Sequence, residues 1–221
     1  MRLMNLSLLK NHLVTSAAQR LKPALGRCLV ALTLTTLAAC ASRAPEPTLY
    51  LLRSDPPPGV QVPASVSHVA SDARHAWQLM LPVRVPAYLD RTALLLPQGA
   101  NGVQPSSTRR WAEPLANSVP RVLAQDLNAL LGEGAVWTSP LPPSVVVQGQ
   151  LRVELLAFDV AANGEAVTLK ARWTTAGATA AARQHLRSFT VPSATPETDG
   201  LVGAHRLALW QLAQAIAATL E

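Results

Sequence analysis

Few residues in this chain combine the type and the spacing that catalysis or metal binding requires. Asp90 and Glu113 could form a carboxylate pair for acid–base chemistry. Each has an arginine nearby in sequence, however, so local ion pairs and a helix-start charge are the simpler interpretation. The chain also lacks a GxSxG motif, a P-loop and a GxGxxG motif. Four of the five histidines lie after residue 40, and they are scattered without HExxH or other metal-ligand spacing: His68, His75, His185 and His205. We therefore predict a protein that is not an enzyme, with no catalytic residues, no metal ligands and no cofactor.

One cysteine has a sequence context that indicates covalent modification. The stretch Leu37-Ala38-Ala39-Cys40 follows a basic segment and an apolar run of about a dozen residues, which is the order of a secretory signal peptide. That run is too short for a membrane-spanning helix, which needs about 20 residues. The stretch resembles the lipobox of bacterial lipoproteins, in which the cysteine thiol receives a diacylglycerol before cleavage. We expect residues 1–39 to be a signal peptide and Cys40 to be the lipidation site. An ordinary signal peptide with a chance cysteine is the alternative.

Removal of the signal peptide changes the charge of the chain. The full sequence carries a formal charge of +6, but five of its 19 basic residues precede Cys40, which leaves 14 basic against 13 acidic residues. Such a nearly neutral chain lacks the positive footprint on which nucleic-acid binding relies. Cys28 leaves with the signal and Cys40 is acylated, so no free thiol remains for a disulfide or a metal.

A short tether and a single domain are expected after the modified cysteine. Residues 40–47 contain Cys40 and a tether stiffened by Pro45 and Pro47. Residues 48–221 are long enough to fold as one domain with its own core.

Alternating apolar and polar residues predict most of the strands in this domain. The most regular pattern is a hairpin of residues 145–155 and 167–173 that turns at Asn163-Gly164. Pro82 and Pro86 allow the strand predicted over 77–85 only as an edge or bulged strand. The other predicted strands are 48–52, 92–96, 103–107 and 184–191. The strands 92–96 and 103–107 form a second predicted hairpin.

Two segments change to a period of three and four residues, which predicts amphipathic helices over residues 111–131 and 198–220. Gly132 follows the first helix as its expected C-terminal end. Pro120 lies inside that helix and is expected to kink it or restart it, because proline has no N–H for the helical hydrogen bond.

The lipobox and three further stretches occur in an order that resembles a known family. These stretches are Thr48-Leu49-Tyr50-Leu51-Leu52, the segment from Pro82 to Arg91 (PVRVPAYLDR), and the segment from Arg110 to Leu115 (RWAEPL). Together they resemble the ABC-type transport auxiliary lipoprotein family, of the paraquat-inducible lipoprotein C type, which is associated with mammalian-cell-entry (MCE) lipid transporters. With the predicted elements, the resemblance implies a single α/β domain in which a mixed β-sheet is packed by amphipathic helices, an αβ sandwich.

The resemblance also implies a function and a partner. In such systems the lipoprotein docks the periplasmic MCE-domain protein of an ABC-type lipid transporter at the outer membrane. Ala41 agrees with that location, because an aspartate at this position is the usual inner-membrane retention signal in Gram-negative lipoproteins. Two alternatives stay open: a lipoprotein regulator of a cell-wall synthase, and a periplasmic carrier that binds lipid itself. A homo-oligomer is also left open.

Four aromatic residues are candidates for partner binding. Tyr50 and Tyr88 each lie near a proline-marked strand boundary and combine apolar area with a hydrogen-bonding hydroxyl, so we predict them as partner-binding anchors. Packing in the core is the alternative for both residues. For Trp77 and Trp111 core packing is the favoured interpretation.

Overall fold

Two β-sheets and two long helices form the fold in the computed structural model, which describes residues 45–60, 62, 76–177 and 181–220. The strands are β1 (Thr48–Tyr50), β2 (Ala76–Leu79), β3 (Ala93–Gln98), β4 (Gly102–Trp111), β5 (Val136–Trp137), β6 (Val147–Val160), β7 (Ala166–Gly177) and β8 (Arg183–Pro192), and the helices are α1 (Leu115–Leu131) and α2 (Thr198–Ala217). Three strands form one sheet in the order β1-β4-β3, and five form the other in the order β5-β2-β6-β7-β8. The predicted α/β class is therefore confirmed, with the strands divided between two sheets. None of the described helices is long and apolar enough to cross a membrane.

The long hairpin of β6 and β7 is the centre of the five-stranded sheet, as the sequence predicts. Its antiparallel pairing extends from Gly149 opposite Gly177 to Val160 opposite Val167. Gly164 lies in the connecting turn with a φ of 76°, a conformation that glycine adopts without strain. β8 adds to β7 in antiparallel orientation, whereas β2 joins β6 in parallel, so this sheet is mixed.

β2 differs from its prediction in length and in position. The strand has four residues, and beyond it Arg84 pairs with Glu154 of β6 through an isolated bridge. Pro82 and Pro86 flank that bridge and have no N–H to extend the pairing. β2 lies between β5 and β6 instead of at an edge, and its register shifts after its first residue. Of the two predicted alternatives, the bulged strand is confirmed and the edge strand is wrong.

The second predicted hairpin, formed by β3 and β4, is also confirmed and belongs to the three-stranded sheet. β1 pairs in parallel with the end of β4, where Tyr50 lies opposite Trp111. The N–H of Trp111 donates to the carbonyl of Thr92 across the hairpin. Trp111 therefore belongs to a strand, and the prediction that the first helix begins there is wrong. α1 begins only at Leu115, after Pro114 has kept the backbone extended with a ψ of 143°.

Pro120 does not interrupt α1. The helix continues without a break to Leu131 and ends at Gly132, which has a φ of 112°, so the expected restart is wrong. The φ that proline requires is compatible with a helix, and the cost is one missing donor for the carbonyl of Ala116. The apolar stripe of the same helix offsets this cost, because its side chains are fully buried: Val119, Val122, Leu123 and Leu127.

The main core lies between the helices and the inner face of the five-stranded sheet. α2 packs against β7, β8 and α1. The inward-facing residues of β6 alternate with exposed polar ones, so Leu151 and Val153 are buried while Arg152 is exposed. Trp173 of β7 and Leu209 of α2 are also buried in this core. The alternation that predicted the hairpin is thus the same pattern that fills the core.

A buried ion pair links both helices to the segment that follows β1. Arg206 of α2 donates to the two carboxylate oxygens of Asp126 in α1, at 2.8 and 2.5 Å, and neither side chain is more than 8% exposed. The same guanidinium donates to the backbone carbonyls of Ser54 and Asp55. It also lies 5.7 Å from the ring centroid of Trp210. These bonds satisfy most donors of Arg206 and fix the segment after β1 against the helices.

Candidate functional site

Cys40 lies outside the residues that the structure describes, so its acylation stays a prediction. The same holds for the signal peptide and for most of the tether. β1 begins at Thr48, eight positions after Cys40. A chain segment of that length spans at most about 30 Å when fully extended. A lipid anchor at Cys40 would therefore keep β1 within that distance of the membrane surface.

Tyr50 is half-buried in β1, an edge strand of the three-stranded sheet. It packs against the hydrophobic core, and its carbonyl accepts a hydrogen bond of 2.7 Å from the N–H of Ala112. Part of its surface stays accessible. The side chains on either side of it, Leu49 and Leu51, are 63% and 44% exposed. Tyr50 therefore contributes to the core and still has surface available to a partner, and its role as an anchor stays a prediction.

Tyr88 lies in a 3₁₀-helix, Ala87–Leu89, and its hydroxyl is engaged within the domain. The hydroxyl donates a hydrogen bond of 2.7 Å to Oδ2 of Asp159 in β6. Burial raises the pKa of the Tyr88 phenol, and the hydrogen bond to Asp159 and the negative charge of that residue raise it further. The phenol is thus neutral at physiological pH and acts as a fixed donor. Tyr88 could offer only the exposed part of its ring to a partner.

His205 is a core residue with no metal-binding arrangement around it. It is 3% exposed and lies between the rings of Trp111 and Phe158, at centroid distances of 5.2 and 4.8 Å. Its Nδ1 lies 2.8 Å from the carbonyl oxygen of Leu201. Burial lowers the pKa of His205 to about 4, although the hydrogen bond to Leu201 opposes the shift. The imidazole is therefore neutral at physiological pH.

The other candidate residues do not assemble into a site either. His185 stacks on Trp173 at 5.2 Å, while His68 and His75 lie outside the described residues. Glu113 forms an ion pair with Arg121, and Asp90 is exposed at the end of the 3₁₀-helix. Within the described part of the chain, no group of three or more His, Cys, Asp or Glu residues could hold a metal ion.

An open apolar groove lies along α1, and we call it the α1 groove. Its volume is about 660 Å³. Leu81, which is 47% exposed, and the ring of Pro120 contribute apolar surface. Arg121 also lines the groove, where Glu113 and the hydroxyl of Ser54 hold its guanidinium. The complete lining is Leu81, Pro82, Ala116, Asn117, Pro120, Arg121, Ala124 and Thr138.

The α1 groove was not among the sites predicted from the sequence. The available signal was the four-residue spacing of Ala116, Pro120 and Ala124, which places small or ring-shaped side chains on one stripe beside the buried stripe of α1. The partner wall, formed by Leu81 and Pro82, is more than thirty positions away along the chain. Its approach to α1 depends on tertiary packing, which a local pattern does not contain.

A much smaller cavity reaches into the core formed by the described residues. A cavity between β3, β4 and β6 is lined by Trp111, Asp159 and His205, among others, and has a volume of about 20 Å³. That is enough for about one water molecule. An acyl chain needs an enclosed volume on the order of several hundred Å³.

Comparisons with known proteins identify a family and a shared fold. A family model described as the ABC-type transport auxiliary lipoprotein component matches residues 50–217. A crystal structure of a protein described as uncharacterized aligns with a TM-score of 0.62 at 18% identity, covering 80% of this chain and 100% of that one. Protein XCC0632 from Xanthomonas campestris, described as DUF330, aligns with a TM-score of 0.56 at 15% identity, covering 78% and 95%. At these identities the two structures show the fold alone. No curated protein matches the chain.

Proposed function

Because this chain belongs to the family of ABC-type transport auxiliary lipoprotein components, we propose that it docks the periplasmic MCE-domain protein of a lipid transporter at the outer membrane. The domain has no turnover of its own in this proposal. Acyl chains on Cys40 anchor it, and residues 41–47 connect the anchor to the fold. Family membership supports the association with a transport system. The docking role is supported by the surface of the domain.

The observation that carries this proposal is the contrast between the α1 groove and the interior. A lipid carrier requires an enclosed apolar volume, whereas a docking module requires apolar surface on a packed domain. The groove offers about 660 Å³ of open, mainly apolar space, and the interior cavity only about 20 Å³. These volumes favour docking over the carrier alternative for the described part of the chain.

The chemistry of the groove indicates what kind of segment it accepts. Leu81, Pro120 and the small side chains along α1 favour an apolar segment of the partner. The carbonyl of Ala116 lacks the helical donor that Pro120 cannot supply, so it is available to a polar group of that segment. Arg121, whose charge is balanced by Glu113, favours a polar residue beside the apolar one. Tyr50 and Tyr88 are proposed as further anchors.

A matched pair of leucine substitutions tests this docking role. Leu81 and Leu186 are both exposed, at 47% and 57%, but only Leu81 lines the α1 groove. In calorimetric titrations with the purified partner protein, Leu81→Gln should weaken binding by about five-fold to thirty-fold, which is typical of an anchor residue. Leu186→Gln should leave the affinity unchanged. Equal affinities for wild type and Leu81→Gln would exclude the groove as the docking surface.

A further inference from the structure

We propose that the outer surface of residues 49–53, in β1 and directly after it, lies on the membrane, where it contacts anionic phospholipid and fixes the orientation of the tethered domain. The contact surface consists of Leu49, Leu51 and Arg53 together with the neighbouring Arg110, and we call it the β1 stripe. This inference rests on the proposed lipid anchor at Cys40. It does not depend on the identity of the docking partner.

Residues 49–53 alternate between the surface and the core. Tyr50 and Leu52 face inward, where Leu52 is 1% exposed. Leu49, Leu51 and Arg53 are all exposed. Two exposed leucines, one in β1 and one directly after it, are unusual on the same side of a segment in contact with water, since their burial is favourable.

Arginines complete the stripe. In the parallel pairing of β1 with β4, Leu49 lies opposite Arg110, so the two side chains are on the same face of the sheet. The ion pairs among the described residues involve other arginines, so Arg53 and Arg110 have no described acidic partner. Long arginine side chains can place their apolar stems beside the leucines and their guanidiniums among lipid phosphates.

Two acidic residues limit the net charge of this region. Glu46 precedes the stripe in the tether, and Asp55 follows it. Binding should therefore come mainly from the leucines, while the arginines make it selective for anionic lipid.

The position of the stripe in the chain indicates the membrane as its occupant. Leu49 is nine positions after Cys40, so an anchored chain cannot take it more than about 30 Å from the bilayer. Tethering at this range gives an effective concentration on the order of millimolar, at which even a weak contact is populated. The stripe is also the first exposed apolar surface that the described chain forms after the tether.

Site-specific spin labels test the contact in the full, processed and acylated protein. Once Cys40 is acylated, the mature chain has no other cysteine, so Leu49→Cys introduces a unique labelling site. Leu186→Cys is the matched control, because Leu186 is a similarly exposed leucine on the other sheet. Each labelled protein is reconstituted into phosphatidylcholine vesicles with or without phosphatidylglycerol. Accessibility is measured by EPR power saturation with a water-soluble nickel complex and with oxygen.

We expect the label at position 49 to be shielded from the nickel complex and accessible to oxygen, most strongly in vesicles with phosphatidylglycerol. The label at position 186 should stay accessible to the nickel complex in both vesicles. Arg53→Gln or Arg110→Gln should each reduce the bound fraction, with a loss of about five-fold in the contact equilibrium on anionic vesicles and little change on neutral ones.

Flotation of the same vesicles tests the lipid anchor separately from the membrane contact of the β1 stripe. A protein that floats but leaves positions 49 and 186 equally accessible overturns the membrane contact and leaves the anchor intact. Shielding of position 49 that requires the periplasmic partner assigns the stripe to protein docking and also overturns the inference. A protein that does not float overturns the lipid anchor, and the membrane contact with it.

Discussion

His205 demonstrates at the residue scale how burial changes the chemistry of a side chain that sequence alone leaves ambiguous. As one of several scattered histidines it carries no signal beyond its type. In the structure it fills a site between Trp111 and Phe158, and it is neutral because a charged imidazole cannot be solvated there. Tyr88 is a similar case, since its hydroxyl is committed to Asp159. Both residues therefore have structural roles that can be measured.

His205 should make the stability of the domain depend on pH. Below pH 6.5 the unfolded chain binds a proton at this residue, whereas the folded domain does so only near pH 4. Because the unfolded state binds more protons in this window, its population grows as the pH falls. Between pH 7 and pH 4 the wild type should lose about 2–3 kcal/mol more stability than His205→Gln.

Urea denaturation of both proteins at a series of pH values measures this difference. Subtraction of the variant from the wild type removes the contributions of the other titrating groups. Parallel stability curves for the two proteins would contradict the buried, neutral state of His205.

The hydroxyl of Tyr88 should matter for stability and not for binding. Tyr88→Phe removes the donor to Oδ2 of Asp159, whose Oδ1 already lacks a hydrogen-bond partner among the described residues. The free energy of unfolding should fall by about 1–3 kcal/mol, as expected for a carboxylate left without its donor. Thermal melts and partner titrations on Tyr88→Phe and on the control Tyr50→Phe distinguish a role of the hydroxyl in stability from a role in partner binding. A loss of affinity in Tyr88→Phe without a loss of stability would assign the hydroxyl to the interface.

At the scale of elements, one face of α1 packs in the core and a neighbouring face lines the proposed docking groove. One face carries the fully buried stripe that packs in the core, and the neighbouring face forms the α1 groove. Pro120 belongs to the groove and costs the helix a hydrogen bond. This combination is typical of a surface in which stability is given up for function.

Replacement of Pro120 should therefore have opposite effects on stability and binding. Pro120→Ala restores a donor for the carbonyl of Ala116 and removes a residue of low helix propensity, so the domain should gain up to about 3 kcal/mol. The same change removes an apolar ring from the groove and should weaken partner binding. Denaturation and calorimetric titration of the same sample check both effects. A variant that is more stable and binds with unchanged affinity would show that the ring takes no part in docking.

The buried face of α1 can be tested by two neighbouring substitutions. Leu127 is 0% exposed, so Leu127→Ala should cost about 2–5 kcal/mol as a core truncation. Gln125 is exposed, and Gln125→Ala should change stability by less than about 0.5 kcal/mol. Chemical denaturation of the two variants measures the difference. Similar losses would mean that the packing of α1 differs from the structure described above.

The elements that the sequence predicted best are those whose burial follows a local period. The β6–β7 hairpin, the β3–β4 hairpin, β8 and α2 all have such a pattern, and their predicted ends differ from the observed ones by at most five residues. The start of α1 was misplaced because Trp111 fits an apolar period in either a strand or a helix, and only its pairing with Thr92 decides. The division into two sheets and the α1 groove depend on contacts between distant segments, which local periodicity does not encode.

At the scale of the whole molecule, hydrogen bonds connect the segment after β1 to the two helices. Arg206 holds Asp126 of α1 and the carbonyls of Ser54 and Asp55, which follow the β1 stripe directly. The guanidinium of Arg121, at the α1 groove, also donates to the hydroxyl of Ser54. A contact of β1 with the membrane would therefore set the orientation of the α1 groove relative to the membrane. This connection unites the proposed anchor, the β1 stripe and the docking surface.

Acylation at Cys40 is the premise for this arrangement in the cell. Cys40→Ala removes the only thiol at the predicted cleavage site, so the variant should accumulate as an unprocessed precursor that takes up no fatty acid. Metabolic labelling with a radioactive fatty acid, followed by electrophoresis, measures both effects. Label retained by the variant would place the acylation site elsewhere.

Docking is tested most directly by titrating the purified periplasmic MCE-domain protein onto the acylated wild-type protein in vesicles and measuring the bound fraction. We expect saturable binding that depends only weakly on salt, because the chain after the predicted signal peptide is nearly neutral and the α1 groove is mainly apolar. We also expect no lipid to be extracted from the vesicles by the wild-type domain itself. Absence of binding at concentrations that match a membrane-tethered pair, or stoichiometric lipid bound to the domain, would contradict the docking function.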